Sequence, residues 1–231
     1  MPPRTLLILS CACIVLIWQM PYGRQMLYPI TLLATYAHEM GHGLTALLTG
    51  AEFEQLLLHA DGSGMAVWRG NPGPWATALI AAGGLIGPTV AGIGILVLAR
   101  HQRLSRWVMA ALAVLLTTSV MLWSRNSFGA VFLLAMAATL ALAAKVLSDA
   151  LATFVLYLLA AMLCLSWFTD LDYLFSEQAV VNGVPHLSDS AVIAQALWLP
   201  YWFWGTVVAA FSLATVALGV AWVGRGERDW H

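Results

Sequence analysis

Seven apolar runs, at about 5–20, 26–49, 74–99, 107–123, 128–144, 150–168 and 193–224, occupy most of a 231-residue chain, and most approach or exceed the ~20 residues an α-helix needs to cross a bilayer. Inside hydrocarbon each spanning segment has to satisfy its own backbone N–H and C=O groups, so runs of this length predict helices. The polar gaps between them are too short to hold a separately folding soluble module. With 61% hydrophobic and 9% charged residues and a mean hydropathy of +0.83, the sequence predicts an all-α polytopic membrane protein. It is expected as a single membrane-embedded domain over 1–231, a bundle of about six to seven transmembrane helices in a lipid bilayer.

The flanks of these runs carry further information. The first run has one basic residue, Arg4, ahead of it and no small-x-small cleavage pattern, which predicts a retained anchor rather than a signal peptide. Arg24, Arg100, Arg103, Arg106, Lys145, Arg225 and Arg228 fall on one side of a seven-span map, and Arg4, Arg69 and Arg125 on the other. That bias predicts a cytoplasmic C-terminus. A net charge of −1 without a basic stripe gives no expectation of a nucleic-acid partner. Cys11, Cys13 and Cys164 sit in apolar runs, where cysteine behaves as a small hydrophobe rather than as part of a disulfide framework.

Two sizeable connectors, 51–73 and 169–192, share the non-cytoplasmic side of the map. In the first, Asp61-Gly62-Ser63-Gly64 separates two moderately apolar stretches, which predicts a short β-hairpin. The run that follows carries Gly83, Gly87 and Ala91 at intervals of four, a small-residue face that lets another helix approach closely.

One run breaks the avoidance of charge: "TYAHEMGHGLTALLTG", residues 35–50, contains His38, Glu39 and His42 in the pattern HExxH. Residues four apart on a helix are offset by about 40° and about 6 Å along the axis, so both imidazoles can reach one metal ion. Glu39 faces a neighbouring direction from which it can touch a metal-bound water and act as general base. With six histidines in the chain, chance produces this pattern roughly once in three hundred such sequences, and ionisable residues inside a span cost about 2.5–3.5 kcal/mol each on insertion scales. A structural polar cluster is therefore the weaker reading, and His38 and His42 are expected to bind Zn2+.

Two histidines and a water leave tetrahedral zinc one ligand short. A soluble HExxHxxGxxH template fails here, since Thr45 and Leu48 stand where Gly and His would be needed. Setting aside acids in the hairpin connector, between spans and in the tail leaves Asp170, Asp172, Glu177 and Asp189. Asp170 and Asp172 lie in "LSWFTDLDYLF", at the end of an apolar run among aromatic residues, either as ligands or as interfacial caps. His59 and His186 are outside candidates, each expected as a loop histidine.

An HExxH helix in a polytopic bundle, with an aspartate from a later span, resembles the site-2 protease family of intramembrane zinc metallopeptidases. The likeness is carried by "AHEMGHGLTALLTG" and the hairpin after it, by "AAGGLIGPTVAG", and by "FTDLDYLF" with "LSDSAVIAQ", which is similar to a divergent bacterial branch. The resemblance implies a multi-pass protein of the bacterial cell membrane that uses zinc and Glu39 to cleave peptide bonds in or near transmembrane segments of a membrane protein or membrane-anchored peptide. The family's Leu-Asp-Gly signature is absent, and by position Asp170 fills the third-ligand role, followed by Asp172 and then Asp189. Because a helical peptide bond is sheltered, a substrate would unwind and could add as a strand to the 51–70 hairpin. A catalytically silent scaffold or chaperone of the same fold is the alternative, though it has no need of Glu39. A metal-dependent oxidoreductase or transporter would call for several histidine clusters.

Overall fold

The computed structural model describes residues 3–169 and 171–225. In chain order its elements are α1 (Pro3–Gln19), α2 (Gly23–Leu48), β1 (Glu52–Leu58), β2 (Gly64–Arg69), α3 (Pro74–Ala99), α4 (Gln102–Leu122), α5 (Ser127–Val146), α6 (Asp149–Thr169), α7 (Leu171–Leu174), β3 (Gln178–Val181), β4 (Val184–Leu187), α8 (Asp189–Leu197) and α9 (Tyr201–Arg225). The expected helical membrane bundle forms. Helices α3, α4, α5, α6 and α9 are long and apolar enough to span a bilayer, and α1 is a shorter apolar helix. Helix α2 matches α3 in length at 26 residues but is less apolar, because it carries the ionisable residues.

The last apolar run does not form one helix. Trp198 takes a left-handed φ of 70°, and Pro200, without an N–H, cannot continue a helix from the preceding turn. The run is thereby divided into the nine-residue α8 and a separate spanning helix, α9.

Helix α2 lies against α3, with α6 packed on α3's other contacts. The small-residue face makes this approach possible: a Cβ at Gly87 would stand 2.7 Å from the Ala37 carbonyl oxygen, and one at Gly83 would run into the Thr45 hydroxyl. Buried hydroxyl pairs fasten α4 to its neighbours, Tyr36 with Ser119 at 2.7 Å and Ser105 with Thr153 at 2.7 Å.

The predicted hairpin is present as the antiparallel pair β1–β2, but it does not stand out from the bundle as a surface loop. It folds back along α2. The Tyr28 hydroxyl donates to the Ala60 carbonyl at 2.9 Å, and the Thr35 hydroxyl donates to the Gly62 carbonyl at 2.8 Å. Thr35 lies about 20 Å along the helix axis from the end of α2, so the hairpin tip re-enters the bundle. Its backbone tolerates that depth because it is paired on both sides of β1. Besides β2, the Leu56 N–H donates to the Trp123 carbonyl at 2.8 Å, and the Phe53 ring stacks on Trp123 at 4.9 Å.

A second antiparallel hairpin, β3–β4, occupies the connector after α6. Its turn is Asn182-Gly183 with φ of 48° and 78°, the left-handed pair that matches strand twist. The Asn-Gly dipeptide is the local sequence signal for this hairpin.

Candidate metal centre

His38 and His42 meet as their spacing requires. Their Nε2 atoms are 3.0 Å apart, with ring centroids at 4.7 Å. The His42 ring is fixed from behind, since its Nδ1 lies 2.8 Å from the Ile80 carbonyl oxygen of α3. A carbonyl only accepts, so Nδ1 carries the proton and Nε2 presents its lone pair forward. The imidazole reaches α3 because residue 84 is glycine; a Cβ there would occupy the ring's own position.

The third group at this point is Asp189. Its Oδ2 is 3.0 Å from His38 Nε2 and 3.3 Å from His42 Nε2, and among the described residues these three form the one set of ligating side chains gathered closely enough for a metal. Asp189 opens α8, where the Ser188 hydroxyl caps the helix by accepting the Ala191 N–H at 3.2 Å. The Tyr173 hydroxyl donates to Asp189 Oδ2 at 2.8 Å, and its ring lies edge-on to His38 at 6.0 Å. Asp170, to which the sequence reading gave the third position, lies outside the described residues. Asp172 and Glu177 are exposed and away from the cluster, as is His186 on β4, and His59 sits half-buried at the tip of the first hairpin. Sequence reasoning also missed Tyr173.

Glu39 is buried, with 6% exposure. Strand β2 closes over it, so closely that a Cβ at Gly64 would come within 2.9 Å of Glu39 Oε1, and the Ala66 backbone lies beside its carboxyl. His38 and Glu39 line a cavity of about 880 Å3 that runs past Thr35, Thr31 and Tyr28 towards Arg24 and is walled by both hairpins.

The donor set fits zinc. Four ligands at zinc's usual bond lengths stand about 3.3 Å from one another, and the three atoms here are separated by 3.0, 3.0 and 3.3 Å. Two neutral imidazoles and a carboxylate are the nitrogen and oxygen donors that this ion takes at catalytic centres with an open position.

No curated protein and no solved structure matches the chain. The sequence pattern of the Peptidase M50B-like family, by contrast, matches residues 7–219, taking in the HExxH helix, the small-residue face of α3 and Asp189 together. This integral membrane protein therefore belongs to the Peptidase M50B-like family, a family of site-2 proteases.

Proposed function

We propose that the protein is an intramembrane zinc metalloprotease, with His38, His42 and Asp189 holding the metal, Asp189 taking the place first given to Asp170, and Glu39 serving as general base. The observation that carries this reading is the triangle of three ligand atoms, 3.0–3.3 Å on a side, beside Glu39, a buried carboxylate on the helix that carries both histidines. Bound zinc supplies a water whose pKa is lowered to about 7 and polarises a carbonyl. Glu39 takes a proton from the attacking water as the new C–O bond forms, then delivers it to the amine nitrogen as the C–N bond breaks. Desolvation around Glu39 keeps that transfer away from bulk water.

The substrate is a membrane protein or membrane-anchored peptide, in the bacterial cell membrane that the family likeness implies. Strand β2 pairs with β1 alone among the named strands, so its second edge can accept an unwound substrate segment, which holds the scissile bond extended beside Glu39. The decisive experiment pairs metal analysis with cleavage of single-span peptides in co-reconstituted vesicles. Glu39→Gln should keep wild-type zinc and lower turnover by at least about 100-fold. Undiminished turnover in that variant would remove Glu39 from the chemistry. A zinc-loaded wild type that cleaves no peptide in the panel would favour the scaffold.

A further inference from the structure

A second concave surface, sharing no lining residue with the His38 cavity, runs between α4 and α5 with a volume of about 1020 Å3. Its two ends differ in chemistry. One is ringed by Arg103, Arg106 and Lys145 beside the exposed Trp107, while the floor beyond is built from Ala110 and Ala113 of α4 and Ala137, Ala138 and Ala141 of α5. The alanines leave a trough where larger side chains would have filled the space between the helices.

One cation at the mouth is fixed, and none there is ion-paired with a carboxylate among the described residues. Arg106 is held in place by donating Nε to the Ala144 carbonyl at 2.6 Å and Nη2 to the Lys145 carbonyl at 2.9 Å. Among the described residues no carboxylate is ion-paired with Arg103, Arg106 or Lys145. Asp149 is the one acid on the rim, so the mouth is net positive. From Arg106 to Thr118 the trough follows α4 for about 18 Å, close to the ~15 Å depth of one hydrocarbon leaflet. The distribution of basic residues, which predicts a cytoplasmic C-terminus, predicts the same side for this charged end.

We propose that this groove binds one anionic phospholipid of the cytoplasmic leaflet, its phosphate between Arg103 and Lys145 and an acyl chain along the alanine floor. Cations at one end match the headgroup, and a trough one leaflet deep matches the chain; basic pockets between spanning helices on that side select anionic lipid. The proposal is independent of the protease reading.

Delipidated full-length protein is titrated with dioleoyl phosphatidylglycerol or dioleoyl phosphatidylcholine, and bound lipid is counted by native mass spectrometry. Each basic side chain near an anionic group adds about fivefold in affinity, so phosphatidylglycerol should bind roughly 25-fold more tightly and Arg103→Gln/Lys145→Gln should abolish the preference. Ala138→Phe fills the trough from an exposed position and should weaken both lipids about tenfold, whether or not the charge variant folds. Equal binding of the two lipids, a preference that survives in the folded charge variant, or unaltered binding in Ala138→Phe would each overturn the proposal. So would a dimer formed through α4 and α5 that excludes lipid.

Discussion

The helix that carries His38 and His42 is positioned by packing, whereas Asp189 is positioned by hydroxyl groups. On the histidine side, α2 and α3 approach so closely that Gly84 and Gly87 have no room for a methyl group, and the His42 ring is seated directly on the neighbouring backbone. On the aspartate side, the Tyr173 hydroxyl holds the carboxylate, the Ser188 hydroxyl donates to the Ser176 carbonyl, and the Ser190 hydroxyl donates to the Leu174 carbonyl at 2.8 Å. The two halves are therefore vulnerable to opposite changes. Adding atoms damages the first, and removing atoms damages the second.

The largest effect should come from deleting Asp189, the proposed ligand that joins the halves. Removing a group that only hydrogen-bonds a metal ligand costs about 10–100-fold in metal affinity, so Asp189→Ala should lower zinc affinity by more than about 100-fold in a competitive chelator titration. Asp172→Ala should leave it unchanged, since that side chain is exposed and outside the cluster. Zinc retained in Asp189→Ala but lost in Asp170→Ala would return the third position to Asp170.

Gly84→Ala adds a single carbon to the packed half. With the methyl group and the His42 ring competing for one space, α3 has to move or the ring has to turn, at a cost of about 1–3 kcal/mol. Thermal unfolding in detergent should register that loss, and zinc affinity should fall with it. A wild-type melting profile would mean that the helix contact is looser than it looks.

Tyr173→Phe removes one oxygen from the other half while keeping the ring against His38. It should weaken zinc binding by about tenfold, with little change in unfolding temperature. Cobalt substituted at the site provides a second readout, because altered carboxylate orientation shifts its visible absorption bands. Unchanged spectra and affinity would show that the serines alone position Asp189.

The same contrast explains what was legible in the sequence. HExxH is a local pattern, with helical periodicity carrying both imidazoles to one face whatever the tertiary context, and the small-residue spacing of Gly83 and Gly87 likewise foretold a close helix contact. The third carboxylate depends on where a distant segment returns. The helix that Asp189 opens, α8, is a separate element because of the break at Trp198–Pro200, which cuts the start of an apparent span away from α9. "LSDS" ahead of an apolar stretch did hold a signal, a serine cap with an acid in the first turn, but the continuous hydropathy across 193–224 masked it. The re-entry of the first hairpin was illegible for a related reason. Its depth is set by Tyr28, Thr35 and the 123–126 loop, residues far from it in sequence.

Ser63→Ala tests the smallest link, the one between the two hairpins. The Ser63 hydroxyl donates to Asp61 Oδ1 at 2.6 Å and accepts the Asn182 N–H at 3.1 Å, which ties the tip of the first hairpin to the turn of the second. These bonds are exposed, so their loss should cost no more than about 0.5–1.5 kcal/mol. Amide exchange at Asn182 should quicken by about two- to tenfold, while zinc affinity stays at the wild-type value, because the hydroxyls of Tyr173, Ser188 and Ser190 hold Asp189 without help from the turn. The Ser63 hydroxyl and amide also keep the Asp61 carboxyl below its ordinary value of 3.8. A depressed carboxyl contributes its stabilisation above that value and loses it as pH falls through the lowered one. Acidifying the wild type through that lowered value weakens the Ser63–Asp61 bond and should quicken Asn182 exchange by less than Ser63→Ala does, because the Ser63 oxygen still accepts the Asn182 N–H, after correction for the intrinsic pH dependence of exchange. If Ser63→Ala instead released zinc, the second hairpin would be what holds Asp189 in place, and the division between a packed half and a hydroxyl-held half would fail.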